Sequence, residues 1–336
     1  MRQALINLEF QPYIDVAPVA PQALYGQACS NDGATIDHWQ EIWLKNIQAN
    51  KERFGSFKDR GVGKLHALHA GKACVLVGSG PSLKNNAKEL QGNKALVVIS
   101  CLHNFHFLED LDVNVDYYVS LDAGPVVVEE VFEGGNHAQE IYWERSKGKK
   151  LICFIGTDPK LFEKWQGEVY FFNAPVPSQK YMERVSAIEN FNTHVSNGGN
   201  VLGACAYIAK GILGCSVTVF LGADFSFSYD SKFHGWDSKY DATMGHTVSM
   251  RDVYGIPVKS WQSYANFKAW FDWLAQSVPG IYINATEGGT FGAYNNGNIR
   301  AVMQMNLKDV LVMFHMQEEL RVQCENPEIA ERKILF

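Results

Sequence analysis

Six short apolar runs constrain the fold of this 336-residue chain more than any other feature: Cys74 to Val77, Ala95 to Ser100, Tyr117 to Leu121, Leu151 to Ile155, Val169 to Phe172 and Val217 to Leu221. Most are bounded by Gly, Asp or Asn, and they do not alternate between apolar and polar residues. Such runs suit strands covered on both faces, which is the condition of a parallel sheet between helical layers. Before the last run, "GGNVLGACAYIAKGILGC" suits a tightly packed helix ending near Gly214. Earlier, "DHWQEIWLKNIQANKERF" spaces Trp39, Ile42, Trp43, Ile47 and Phe54 helically, predicting a helix from Asp37 to Phe54. Residues 1–33 read as irregular, with Pro12, Pro18 and Pro21 breaking any long element. The expectation is a doubly wound, mostly parallel, Rossmann-like α/β domain over 71–295. An irregular and helical lead-in (1–70) precedes it and a C-terminal helical appendix (296–336) follows.

Composition narrows the classes of function. Hydrophobic residues make up 46% of the chain and charged ones 20%, ordinary values for a soluble globular protein. A net charge of −6 with no long Lys/Arg run argues against a nucleic-acid partner. No apolar run reaches the ~18 residues of a membrane span, and the N-terminus does not read as a secretory signal. Cys74, Cys101, Cys153, Cys205 and Cys215 lie within or beside apolar segments, at spacings that match neither a zinc site nor a disulfide framework. They read as buried thiols, and the expected location is the cytoplasm.

In open α/β sheets, ligands bind beyond the carboxyl ends of the strands. Four predicted strand ends carry polar or glycine-rich clusters: "GSGPSL", "SLDAG", "GADFS" and "INATEGG". In the first, Gly78 and Gly80 allow positive φ and close approach of a ligand, and Pro81 suits the first turn of a helix. Ser79 or Ser82 can supply a hydroxyl, and the turn's amides favour an anion. The cluster fits neither the dinucleotide fingerprint nor Walker A, and it could also be a bare strand-to-helix connection. Asp122 and Asp224 could hold a ribose hydroxyl, bind Mg²⁺ or act as a base, or they could cap the next helix. In "SNGGNVLG", Asn197 and Asn200 could read a base or sugar edge while Gly198 and Gly199 allow close approach; an Asn-capped helix is the alternative. Glu287 and Gly288 mark the fourth cluster. Its Asn284-Ala285-Thr286 triplet is set aside as a glycosylation site because nothing indicates secretion.

His234 and His246 sit in a polar, aromatic loop after the Asp224 strand, where a general base or acid could cover a site. His103 and His106 have no third partner that would make a metal site. The run "WQSYANFKAWFDW" places Trp261, Tyr264, Phe267, Phe271 and Leu274 on about one helical face, which reads as core packing.

Taken in order, "VLVGSGPSL", "VDYYVSLDAG", "GGNVLGACAYIAKGILG", "VFLGADFSFSYDSKFHG" and "IYINATEGG" resemble the 6-hydroxymethylpterin diphosphokinase MptE-like family over roughly residues 37–292. The same domain occurs in motility accessory factors, which look like flagellin glycosyltransferases. The family is also distantly similar to bacterial sialyltransferases, whose Gly-x-Gly-Pro-Ser-Leu turn lies against CMP. Relatives often carry Gln where this chain has Ala223. The resemblance implies a nucleotide phosphate at Gly78 to Leu83 and a transferase of one of two kinds. Glycosyl transfer from a CMP-linked nonulosonic sugar to a sugar or protein acceptor would need no metal and would use His234 as base. Diphosphate transfer from ATP to a pterin would need Mg²⁺, held by Asp122 and Asp224. A nucleotide-binding protein without turnover is the third reading. The first is favoured because the helical lead-in resembles the segment before this domain in motility accessory factors. The sequence leaves the oligomeric state open.

Overall fold

The structure is a computed structural model that describes residues 13–14, 21–129, 132, 140–176, 178–230, 232, 234, 247–294 and 297–325. In chain order its strands are β1 (Tyr13–Ile14), β2 (Ala73–Val77), β3 (Val97–Cys101), β4 (Tyr117–Ser120), β5 (Lys150–Phe154), β6 (Glu168–Phe172) and β7 (Val217–Leu221). There follow β8 (Thr247–Arg251), β9 (Pro257–Trp261), β10 (Ile281–Asn284), β11 (Ala293–Tyr294), β12 (Gly297–Ile299) and β13 (Met303–Gln304). Eight of them form one sheet in the order β13-β10-β7-β2-β3-β4-β5-β6, with every neighbouring pair parallel. Strands β2, β3 and β4 are buried along their whole length, as runs without polar alternation require.

The winding has one reversal. From β2 the chain steps outward to β6, then returns to lay β7 against the other side of β2, with Ala73 opposite Val217 and Val77 opposite Leu221. It then continues through β10 to β13. The switch therefore falls between β2 and β7, the place at which open α/β sheets put their ligand crevice. Helices flank the sheet, giving the doubly wound, Rossmann-like α/β fold.

Three features depart from the sequence expectation. The first helix spans Pro21–Phe54, so residues 21–33 are helical although they read as irregular; proline at a first helical position is no obstacle, since its missing N–H would have had no partner there. Thr247–Arg251 and Pro257–Trp261 pair as an antiparallel hairpin in a stretch for which the sequence suggested no element, and Trp261, expected on a helix, ends its second strand; alternate residues of β8 are exposed. Finally, β13 joins the central sheet beside β10, so a segment expected only as helix also supplies a strand. The helix expected to end near Gly214 runs as Val201–Tyr207 and then a π-helical stretch, Ile208–Ile212, before Gly214 at φ +79°. Among the described residues, no helix is long and apolar enough to cross a membrane. Cys74, Cys101, Cys153, Cys205 and Cys215 are buried free thiols.

The first helix is fastened to the sheet by two buried asparagines, four residues apart on one helical face. Asn46 Nδ2 donates to Ala123 O (2.8 Å) and Gly156 O (3.0 Å), and Asn50 Nδ2 to Ile155 O (2.9 Å) and Thr157 O (2.8 Å). These carbonyls lie in the loops after β4 and β5, so the helix sets the shape of the sheet's ligand side. Asn50→Ala strips donors from two enclosed carbonyls and should cost about 1–3 kcal/mol, read as a lower denaturant midpoint. Gln48→Ala, on the exposed face, should stay within ~0.5 kcal/mol.

Candidate functional site

The turn after β2 is built against β7. Gly78 N–H donates to Leu221 O (2.8 Å) and Gly80 N–H to Gly222 O (2.9 Å). A Cβ on Gly78 would lie 2.6 Å from Gly222 O; one on Gly80 would lie 2.0 Å from Asp224 Oδ2 and 2.6 Å from Gly222 O. Neither glycine has a left-handed φ. They are needed because two loops cross at contact distance, not for the positive φ that the sequence suggested. Ser82 completes the crossing: its N–H donates to Asp224 Oδ1 (3.3 Å) and its hydroxyl to Asp224 Oδ2 (2.8 Å). The helix that follows, Leu83–Asn86, is a single turn. The amides of Gly78, Gly80 and Ser82 are thus engaged by the neighbouring loop.

Asp224 is 5% exposed and enclosed from three sides. Thr290 donates to its carbonyl from N–H (2.7 Å) and Oγ1 (3.1 Å), and Gly289, at φ +69°, approaches so closely that a Cβ would lie 2.4 Å from Asp224 Cα. Ala223 N–H donates to Thr286 Oγ1 (3.1 Å). The loop after β10 therefore closes over the end of β7. Burial pushes the Asp224 carboxyl up to about 7, against the opposing pull of the Ser82 bonds. The next residue, Phe225, is held at φ +49°, an uncommon conformation for an aromatic side chain.

His234 is 8% exposed, with Nδ1 3.0 Å from Ser79 O. A carbonyl only accepts, so Nδ1 carries the hydrogen in this contact. The His103 ring lies beside it, centroids 5.2 Å apart. Both line a cavity of about 240 Å³ at the β2–β7 switch, together with Gly78, Ser79, Gly80, Asp122, Asn200 and Asp224. Tyr264 and Phe267, three residues apart on the helix Gln262–Ser277, supply an aromatic wall.

The cavity thus brings together Gly78, Ser79, Gly80, Asp122, Asn200, Asp224 and His234. Pro81 and Ser82 are buried immediately behind it. Asn200 also caps the helix Val201–Tyr207, accepting from Gly203 N–H (2.9 Å). Asn197, Gly198 and Gly199 lie outside the lining: Asn197 Oδ1 accepts from Gly199 N–H (2.8 Å), and the two left-handed glycines pack against Trp270 and Phe267. Glu287 and Gly288 also lie outside it. Glu287 Oε1 accepts from Asn86 Nδ2 (3.1 Å) and Leu307 N–H (3.0 Å), tying the last long helix to the β2 turn. His246 lies outside the described residues. Among the lining residues that were not sequence candidates are His103, Tyr264 and Phe267. His103 directly follows β3, so the strand-end rule applied to "CLHNF" could have found it. Tyr264 and Phe267 share a helix with the buried Phe271 and read as core, which their half-burial does not bear out.

The sequence model of the 6-hydroxymethylpterin diphosphokinase MptE-like family matches residues 42–230. No protein of curated function matches the chain. The solved structure of the MAf glycosyltransferase from Magnetospirillum magneticum AMB-1 is similar at 15% identity and a TM-score of 0.48, over 78% of this chain. The chain spans 38% of the length of that protein.

Two outcomes follow from the geometry. Gly80→Ala should destabilise the fold by about 1–3 kcal/mol in denaturant titrations, because its Cβ meets the Asp224 carboxylate within the protein. The Asp224 carboxyl titrates near 7 when folded and at an ordinary 3.8 when exposed. Between those values the folded chain holds a proton that the unfolded chain has released, so stability falls as pH rises, by up to about 1.4 kcal/mol per unit. Asp224→Asn removes that slope. Its melting temperature relative to the parent protein should therefore climb steadily from pH 5 to 7; a constant difference would mean that Asp224 titrates as an exposed carboxylate.

Proposed function

The chain belongs to the 6-hydroxymethylpterin diphosphokinase MptE-like family, and within it we propose a nucleotide-dependent transferase that moves a glycosyl group from a nucleotide-activated sugar. The donor is proposed to be a CMP-linked nonulosonic, sialic-acid-like sugar, on the likeness of "GSGPSL" to the sialyltransferase turn. The observation that carries the reading is the meeting of Ser79 and His234 at the β2–β7 switch, where a buried imidazole is oriented by the turn itself. With Nδ1–H committed to Ser79 O, Nε2 is the atom that takes a proton from an acceptor hydroxyl as that oxygen attacks the sugar's anomeric carbon. The bond to the nucleotide phosphate breaks in the same displacement, and the phosphate leaves as the nucleoside monophosphate. The aromatic wall of Tyr264 and Phe267 offers a planar base a stacking surface.

Diphosphate transfer from ATP to a pterin is the second reading, and it asks Asp122 and Asp224 to hold Mg²⁺. Both line the cavity. Asp224, however, already accepts from Ser82 at both oxygens, and its raised pKa leaves it partly protonated near neutrality. A hard divalent cation binds ionised carboxylates with open lone pairs. Asp224, buried and raised in pKa, is a poor first ligand for that ion, which favours the metal-independent reading.

Calorimetry with CMP, CDP, ATP and GTP, each with and without Mg²⁺, separates the readings. The proposal expects a preference for cytidine nucleotides that is indifferent to Mg²⁺; strictly Mg²⁺-dependent ATP binding would overturn it. With a competent donor and acceptor, His234→Ala should lower kcat by ~10²–10⁴-fold while the nucleotide Kd changes far less. A variant that weakens nucleotide binding as much as turnover would make His234 a positioning residue.

A further inference from the structure

The amino ends of β2 and β7, at the end of the sheet away from the cavity, bring two thiols together. Cys74 is the second residue of β2, and Cys215 stands two residues before β7. The two share an S–H···S hydrogen bond. Cys74 Sγ also lies 3.5 Å from Val217 O, so its hydrogen can turn between a carbonyl and the neighbouring sulfur. Cys215 N–H donates to Ala209 O (2.8 Å), within the π-helical stretch Ile208–Ile212. Such stretches are rare and frequently found at functional sites. This one also carries Lys210, half-buried, with its Nζ 4.9 Å from the centre of the Tyr282 ring. Among the described residues, the ionisable groups facing that ammonium are Cys74 and Cys215.

The Cys74 S–H holds the Cys215 thiol below its usual range, helped by the Lys210 and Lys72 ammonium groups; burial and Asp116 oppose them. Tyr117 also faces Cys215. Cys74, bonded to Cys215 and buried, is pushed well above the usual range. One thiol is thus disposed to ionise while the other stays a donor, the division that a nucleophilic and a resolving cysteine need. Cys101 and Cys205 also hydrogen-bond to each other, but what acts on Cys205 is burial, its own backbone and other thiols.

We propose that Cys215 and Cys74 form a redox-active dithiol that reduces small hydroperoxides, at a site separate from the transferase cavity. The Cys215 thiolate attacks the terminal peroxide oxygen; the O–O bond breaks, and the leaving oxygen takes up a proton and departs as an alcohol, or as water from hydrogen peroxide. Cys215 is left as a sulfenic acid. The Cys74 sulfur then attacks the Cys215 sulfur, its proton joins the departing hydroxyl as water, and a disulfide closes. In sum the two thiols lose two electrons and two protons, and the hydroperoxide is reduced to alcohol and water. Cys215 is only 4% exposed, which restricts the substrate to a small peroxide. Lys210 stabilises the thiolate, and an external thiol restores the pair.

The test treats the reduced full chain with hydrogen peroxide at pH 7, blocks the remaining thiols and maps tryptic peptides without reduction. The expected product joins peptide 73–84 to peptide 211–232, lighter than their sum by the two hydrogens lost (about 2 Da) and separated again by dithiothreitol. In Cys74→Ser, dimedone should trap the sulfenic acid on Cys215. Lys210→Met should slow formation of the cross-link by about threefold or more while the melting temperature stays near that of the parent protein. The inference is overturned if peroxide leaves Cys74 and Cys215 as free thiols, or if it joins Cys101 to Cys205 first. It is equally overturned if Lys210→Met, folded, forms the cross-link at the parent's rate. None of these results bears on whether the cavity binds a nucleotide.

Discussion

The contact between the loops leaving β2 and β7 is the constraint on which the rest of the site depends. Parallel neighbours at a topological switch would ordinarily part at their carboxyl ends and leave an open crevice. Here two N–H donors on the β2 side, Gly78 and Gly80, continue the ladder one step past the strands onto Leu221 O and Gly222 O. Ser82 and Asp224 then lock the crossing with two hydrogen bonds. Side chains larger than hydrogen at 78 or 80 would push these loops apart. Because the backbones meet, the cavity is displaced sideways, toward β3, β4 and the helix Gln262–Ser277. The residues of those elements thus become its walls.

That displacement has an electrostatic consequence. A Rossmann-like turn normally presents unoccupied amides to a phosphate. In this chain the amides of Gly78, Gly80 and Ser82 face β7, and Asp224, buried beside them, is pushed toward the neutral acid. The described part of the cavity is left with carboxyl groups, two imidazoles and an aromatic wall. Histidine is the side chain whose charge can be set by the ligand near neutral pH.

The sheet was legible in the sequence because buried parallel strands carry a continuous apolar signal, and the observed β2 to β7 differ from the expected runs by a residue or two at their ends. The β8–β9 hairpin was not, since "TVSMR" and "PVKSW" are short, half-exposed and rich in polar residues. Around the site, residues that act through position alone were visible: Asp122, Asp224 and the glycine turn all stand at strand ends. What could not be read was which partner each would meet. Nothing local in "GSGPSL" says that its amides turn toward another strand instead of solvent, because that strand lies some 140 residues later in the chain. The same holds for Tyr264 and Phe267, whose helical spacing is equally compatible with core and with a cavity wall. Glu287 is the reverse case: a residue that suggested a ligand contact and whose carboxylate instead joins two helices.

The central claim is that the cavity at the β2–β7 switch is a nucleotide site, and a crystal structure of the chain with bound CMP tests it most directly. The account predicts phosphate density beside Ser79 and His234, with the cytosine against Tyr264 or Phe267 and the Gly80–Asp224 contact undisturbed. Phosphate density bound by the amides of Gly80 and Ser82, with the Asp224 contacts broken, would contradict it, as would a nucleotide bound away from the β2–β7 switch.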